Sequence, residues 1–431
     1  MYLFLVRHFN DIDHLTPVVW KLKKDNYPVA VYCMNPRYDI SQDYRLNFLK
    51  NQGIPVDYVH MAIGSQRSNL HDTMHSFIQW CLGVQKRIDA GERKQKSIVQ
   101  KVCGRAIQFL GSLSYKIARR VFYNQRWAET ILRKTEARAV CFDHVMPRLY
   151  VVDAFLTAAQ NMRIPTLALP HGVHLYTNEN TKPKATASRR FNKFNRFDHV
   201  IVPNQLRKDF LIQAGISDEK ISVLGSARYC REWMEQNNKI VPRMIDPERH
   251  GNEKLKVVFM PSKPQCNVHL ERLAATCLVL ADLTEIKTMI KPHTRAGIAA
   301  DIYQGLRIPV VSHILTAELC DWADIILVIG SSVISEAIVR GKPALYLKYL
   351  HDNTTLFEEI GSCWTIHDET ELNDTLVFLQ RNRSQVPYDE ASIAQYITEV
   401  VKGGKPGRNV LQAYEQFIVD HSKSDTGNGG M

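Results

Sequence analysis

The sequence predicts an α/β protein made of two lobes, each a parallel sheet with helices on both faces. Short β-rich runs alternate with longer amphipathic segments through most of the chain. The rhythm breaks in the polar, proline-containing stretch QNNKIVPRMIDPERHGNEK, residues 236–254, and then resumes. At 431 residues the chain is also longer than one ordinary core serves.

In the first series the strand candidates are Tyr2–Val6, Pro28–Cys33, Ile54–His60, Ala139–Asp143, Ile164–Leu169, His199–Val202 and Ile221–Leu224. Amphipathic segments such as DHLTPVVWKLKKDN and VVDAFLTAAQNM lie between them. Residues 71–134 offer no strand pattern and read as a helical insertion. Basic residues outnumber acids over 93–134, with apolar residues from Ile107 to Phe122 at helical spacing. That pattern fits a solvated face over a packed stripe. It equally fits a surface for an anionic membrane or a lipid-linked or polyanionic acceptor. The second series starts at Leu255 with LKVVFMP, EIKTMIKPH, IPVVSH, DIILVIG, PALYLK and CWTIH. The expected organisation is a first lobe over 1–240, a second over 255–402, a terminal helix over 403–421 and a disordered tail over 422–431.

Composition narrows the class. Hydrophobic residues at 45% and charged residues at 23% are ordinary for a globular protein. The net charge of +11 suits anionic partners such as nucleotides or a phosphorylated lipid, and does not imply nucleic acid. Nine cysteines without a C-x-x-C pair predict free thiols and no zinc site. The apolar start MYLFLV has strand length and lacks the pattern of a secretory signal. No stretch reaches the ~20 apolar residues of a membrane helix. A cytoplasmic protein, or one peripheral on the inner face of the membrane, is expected.

Four junctions at strand ends carry candidate chemistry, because ligands of open parallel sheets bind at the carboxyl ends of strands. In DIILVIGSSVISEAIVRGKP, a buried run ends at Gly330, Ser331 and Ser332, and a helix follows. Backbone N–H groups and hydroxyls there suit a phosphate. Glu336, one turn on, could accept from a ribose diol. The alternative is a Ser332 N-cap and a solvated Glu336. In EIKTMIKPHTRAG, the strand ends at Lys291, His293 and Arg295, which can donate to phosphate or stand as a basic surface loop. In IPTLALPHGVH, the strand ends at His171, a general-base candidate, with His174 second; a structural histidine is the alternative. In LVRHFNDIDH, Asp11 and Asp13 are carboxylate base candidates, and Asp13 could instead cap the next helix. Their D-x-D spacing has no further metal ligand beside it, so no metal and no cofactor are expected. Arg228, in VLGSARY, either contacts the donor or belongs to a turn.

The order LPHG, GSAR, KPH and GSSVISEAIVRGKP resembles the GT-B superfamily, especially enzymes of bacterial capsule and wall polymer synthesis. It looks like the CDP-glycerol glycerophosphotransferases. KPH and the paired serines are similar to motifs of the sialic acid and Kdo transferases, which use CMP-sugars. The serine turn with GKP also resembles the non-hydrolysing UDP-N-acetylglucosamine 2-epimerases. The resemblance implies two Rossmann-like lobes facing across a cleft, with His171 as base. It implies donor phosphates at His293, Arg295, Ser331 and Ser332, and the ribose at Glu336. The chain departs from the glycerophosphotransferases by having Lys291 in place of arginine, and by its basic insertion.

The expected activity is therefore a metal-independent glycosyltransferase. It would use a CMP-, CDP- or UDP-linked donor and a surface-glycan or lipid-linked acceptor, as in capsule or lipopolysaccharide synthesis. Polyol-phosphate transfer, sugar-nucleotide 2-epimerisation and non-catalytic polyanion binding are the rivals.

Overall fold

The computed structural model of the chain describes residues 1–62, 122–144, 151–178, 195–245, 254–262, 266–293, 300–303, 305–383 and 385–423. Most of the basic insertion, residues 63–121, lies outside the described residues, as do Arg295 and the segment 246–253.

Two parallel sheets form the frame. The first contains β1 Tyr2–Val6, β2 Val29–Cys33, β3 Val56–Tyr58, β4 Ala139–Asp143, β5 Thr166–Leu169, β6 His199–Val202 and β7 Ile221–Val223, in the order β3-β2-β1-β4-β5-β6-β7. The second contains β8 Leu255–Met260, β9 Ile286–Ile290, β10 Ile325–Val328, β11 Ala344–Leu347 and β12 Trp364–Ile366, in the order β12-β11-β10-β8-β9. The expected α/β class and the GT-B architecture are both present. The strands read as continuous buried runs because helices cover both faces of such sheets; β1, YLFLV, is buried at every position.

The expectation that IPVVSH forms a strand does not hold. Among the described residues only Val310 forms a bridge there, to Ile290, and Ile308, Ser312 and His313 lie in bends.

The helices of the first sheet's half are α1 Phe9–Lys24, α2 Tyr44–Asn51, α3 Gln125–Lys134 and α4 Val152–Asn161; α5 Gln205–Gln213 and α6 Arg231–Ile240 follow. Helix α6 occupies the start of the stretch expected to be a linker. The second half contributes α7 Leu270–Asp282, α8 Thr316–Trp322, α9 Val333–Val339, α10 Leu356–Ile360, α11 Glu369–Arg381, α12 Glu390–Tyr396 and α13 Val410–His421. Among the described residues no helix is long and apolar enough to cross a membrane. The seven described cysteines are free, and six are buried.

The chain forms two compact units. One comprises residues 1–171, 194–200 and 415–431, and the other residues 172–193 and 201–414. In the second unit two apolar clusters flank the sheet. Leu255, Val257, Phe259, Leu327 and Leu345 belong to one, and Val258, Met260, Ile326, Val328 and Tyr346 to the other. Adjacent residues of β8 fall into opposite clusters, as the period of two requires.

Candidate active site

In the first sheet the chain passes outward from β1 through β2 to β3, then returns to add β4 and β5 on the other side. The order therefore reverses between β1 and β4, and a crevice at the carboxyl ends is expected there. Arg7 and Asp11 follow β1, Asp143 ends β4, and His171 stands two residues beyond β5. These four side chains form one network.

Arg7 holds the two carboxylates. Its Nε donates to Asp11 Oδ2 at 2.8 Å and its Nη2 to Asp11 Oδ1 at 2.9 Å, while its backbone N–H also donates to Oδ2. The same Nη2 donates to Asp143 Oδ2. Asp143 Oδ2 in turn accepts from His171 Nδ1 at 2.7 Å. An ionised carboxylate only accepts, so His171 carries its neutral-state proton on Nδ1 and leaves Nε2 as the basic nitrogen. Asn10 donates from Nδ2 to the His171 carbonyl and fixes the backbone below the ring.

Both carboxylates are fully buried, whereas the His171 side chain is 42% exposed. Two carboxylates face one guanidinium in this cluster. Burial, followed by the neighbouring Asp143 charge, pushes the Asp11 pKa up against the opposing pull of Arg7 and His8. Asp143 Oδ1 is buried with no hydrogen-bond partner among the described residues.

Ligand atoms of Asp11, Asp143 and His171 lie within 4.8 Å of one another, a spacing that would suit a metal. Arg7 already occupies both oxygens of Asp11 and one of Asp143. A divalent ion there would have to displace or oppose a buried guanidinium, so the donor set fits a base relay better than a metal.

Asp13 takes a different place. Helix α1 starts at Phe9 with His8 at the cap position, so Asp13 lies inside the helix and does not cap it. It is paired with the buried Arg45, which Asp43 also holds at 2.7 Å. His174 packs against Phe210, with ring centroids 5.5 Å apart.

In the second sheet the order reverses between β8 and β10. Gly330, Ser331 and Ser332 follow β10 there. Two hydroxyls clamp the carbonyls of this turn: Ser262 Oγ donates to Ile329 O, and Tyr176 OH donates to Gly330 O at 2.6 Å. Gly330 has φ +49°, and a Cβ would sit 2.8 Å from Tyr176 OH and 2.9 Å from His351 Cε1. Only glycine fits both the backbone and the space. Ser332 takes the N-cap position of α9 without a capping hydrogen bond, whereas Ser331 Oγ accepts from the Val333 N–H at 3.4 Å. Helix α9 has only seven residues, so anion affinity here would rest on local N–H and hydroxyl donors more than on a dipole.

Glu336 is buried rather than solvated. Arg340 Nη2 donates to its Oε1 at 3.0 Å, and Arg228 Nη2 lies 4.0 Å from its Oε2. Lys291 is also buried; its Nζ donates to Ser312 O at 2.9 Å, and burial pushes its pKa down to about 8. His293 is partly exposed.

Asp143 and Arg7 had no assigned role in the sequence reading, although both were visible. The strand-end rule that selected His171 and Gly330 applies equally to an aspartate closing AVCFD.

No family model and no curated protein matches the chain. Solved structures do resemble it. UDP-GlcNAc 2-epimerase from Neisseria meningitidis, bound to UDP-GlcNAc, superposes with TM-score 0.51 at 15% identity, covering 97% of this chain and 99% of that one. UDP-GlcNAc 2-epimerase from Methanocaldococcus jannaschii gives TM-score 0.55 at 14% identity, with 97% and 99% covered. The glycotransferase of kitacinnamycin gives TM-score 0.50 at 12% identity, with 96% and 98% covered. The chain has the two-lobed GT-B fold that these proteins share.

Proposed function

We propose that the chain is a nucleotide-sugar-dependent glycosyltransferase of GT-B type, with His171 as general base and Asp143 as the group that orients it. The observation that carries this reading is the 2.7 Å contact between buried Asp143 and half-exposed His171 at the sheet's switch point. The pair leaves His171 Nε2 to take the proton of an acceptor hydroxyl. The resulting oxygen nucleophile forms a bond to the anomeric carbon, and the bond from that carbon to the donor phosphate breaks. The developing phosphate charge goes to donors of the Gly330–Ser332 turn, with His293 and Arg295 as further partners. The UDP-GlcNAc bound to the Neisseria structure supports a nucleotide sugar as ligand. A glycan or lipid-linked acceptor at the cytoplasmic membrane face, as in surface polysaccharide synthesis, suits the basic segment 93–134.

Sugar-nucleotide 2-epimerisation is the second reading, favoured by the activity named for the Neisseria and Methanocaldococcus structures. Transfer of a polyol phosphate from a CDP-linked donor shares the same donor chemistry. The test is incubation with CMP-, CDP- and UDP-linked donors, with and without an acceptor-bearing membrane fraction, followed by mass spectrometry. Transfer predicts acceptor-dependent nucleotide release that His171→Ala slows by about 10²–10⁴. A C2 epimer of the intact donor, formed without acceptor, would overturn transfer in favour of epimerisation.

A further inference from the structure

A cavity of about 780 Å³ opens in the second unit between α6, the C-terminal end of α9 and residues 397–410. Tyr229, Met234 and Val410 give it apolar wall, and five cationic side chains line it against three carboxylates. Two of the cations are matched: Arg231 pairs with Glu235 at 2.7 Å, and Arg340 pairs with Asp321.

The other three have no carboxylate partner among the described residues. Lys342 Nζ donates to Ala323 O at 2.8 Å, and Lys402 Nζ to Pro406 O at 2.6 Å. Arg408 Nη1 donates to Val223 O at 2.8 Å and Lys402 O at 3.1 Å. Carbonyls orient these groups but leave their charge uncompensated. Burial pulls the Arg408 pKa below the usual arginine value, as expected for an unneutralised guanidinium. Arg340 Nε is buried beside them with no hydrogen-bond partner among the described residues.

We propose that this cavity binds a small organic phosphate of up to nucleotide size, at a site separate from the Gly330–Ser332 turn. Its volume lies in the ~300–1,000 Å³ range of small-molecule sites. Cations that approach from three chain segments suit a multi-oxygen phosphate better than a planar carboxylate. Helix α9 separates the two places: Ser332 precedes its first residue, and Arg340 follows its last. At ~1.5 Å per residue the helix spans roughly 10 Å. Arg340 borders the cavity and also grips Glu336, so the new site touches the residue expected to meet the donor ribose.

Isothermal titration of the full chain with inorganic pyrophosphate tests the proposal, with each variant first checked for a wild-type melting curve. Binding should weaken about tenfold in Lys402→Gln, since one charge-assisted contact is lost, and return in Lys402→Arg. It should persist in the His293→Ala/Ser332→Ala variant. Wild-type affinity in both Lys402→Gln and Lys342→Gln/Lys402→Gln would overturn the proposal, as would no binding to the wild-type chain at millimolar pyrophosphate. Loss only in the His293→Ala/Ser332→Ala variant would also overturn it, while leaving the transferase reading in place.

Discussion

Asp143→Asn isolates the charge behind the proposed base while keeping its shape. In the native chain Oδ2 accepts from both Arg7 and His171. The amide oxygen of asparagine takes that position, because the NH₂ group would meet two donors there. The NH₂ then fills the place of Oδ1, where no partner stands among the described residues. The His171 tautomer is therefore preserved, and only the negative charge that steadies the imidazolium is lost. A charge-assisted hydrogen bond of this kind is worth about 1.5–3 kcal/mol. The half-exposed ring favours the lower part of that range, because water screens its charge. At ~1.4 kcal/mol per decade, turnover should fall roughly 10- to 100-fold. His171→Ala removes the base itself and should cost about 10²–10⁴. Because Asp143 acts through His171, the double variant should be no slower than His171→Ala alone. Acceptor-dependent nucleotide release, measured for all four proteins beside their melting curves, gives the comparison. Independent, multiplying losses in the double variant would refute the relay. So would Asp143→Asn turning over within twofold of wild type.

Gly330→Ala should destabilise the second unit by about 1–3 kcal/mol in urea unfolding, combining positive φ with a Cβ crowded by Tyr176 and His351. Gly341→Ala has a similar φ, +65°, but meets nothing within 4 Å, so it should lose only the smaller backbone part. Lys291→Met should stabilise the protein at pH 7 by about 1–3 kcal/mol, less than the full shift implies because the bond to Ser312 is lost. The folded-state pKa, about 8, lies below the ordinary 10.5, so the burial cost is complete below pH 8 and fades as pH rises toward 10.5. Paired unfolding curves at pH 7 and pH 10 should show the gain shrinking; an equal gain at both would contradict the burial account.

The periodicity of the sequence showed most strands of both sheets, because parallel strands buried on two faces read as uninterrupted apolar runs. IPVVSH is also an apolar run, but its Val310 is 39% exposed and its backbone pairs with Ile290 at a single bridge, too little for a strand. Strand ends located His171 and Gly330, since a polar or glycine residue after such a run is a local signal. Asp143 escaped because its importance lies in His171, 28 residues away, and Arg7 joins it across 136. Asp13 shows the converse. Its place beside Asp11 suggested chemistry or a cap, yet α1 begins early and turns it onto Arg45. Glu336 reads as a solvated residue or a ribose partner; its i,i+4 spacing from Arg340 is a legible sign of their pairing, whereas nothing local points to Arg228.

Thermal unfolding of the full chain with CMP, CDP, UDP, GDP or ADP tests the central claim most directly. A nucleotide that binds the folded state at 100 times its Kd adds about 2.7 kcal/mol of stability. At least one of the five should raise the melting temperature of the Lys342→Gln/Lys402→Gln variant, in which the second cavity is weakened, and adding His293→Ala/Ser332→Ala should remove that increase while keeping the ligand-free melting curve. No shift with any of them at millimolar concentration would contradict a nucleotide-sugar enzyme.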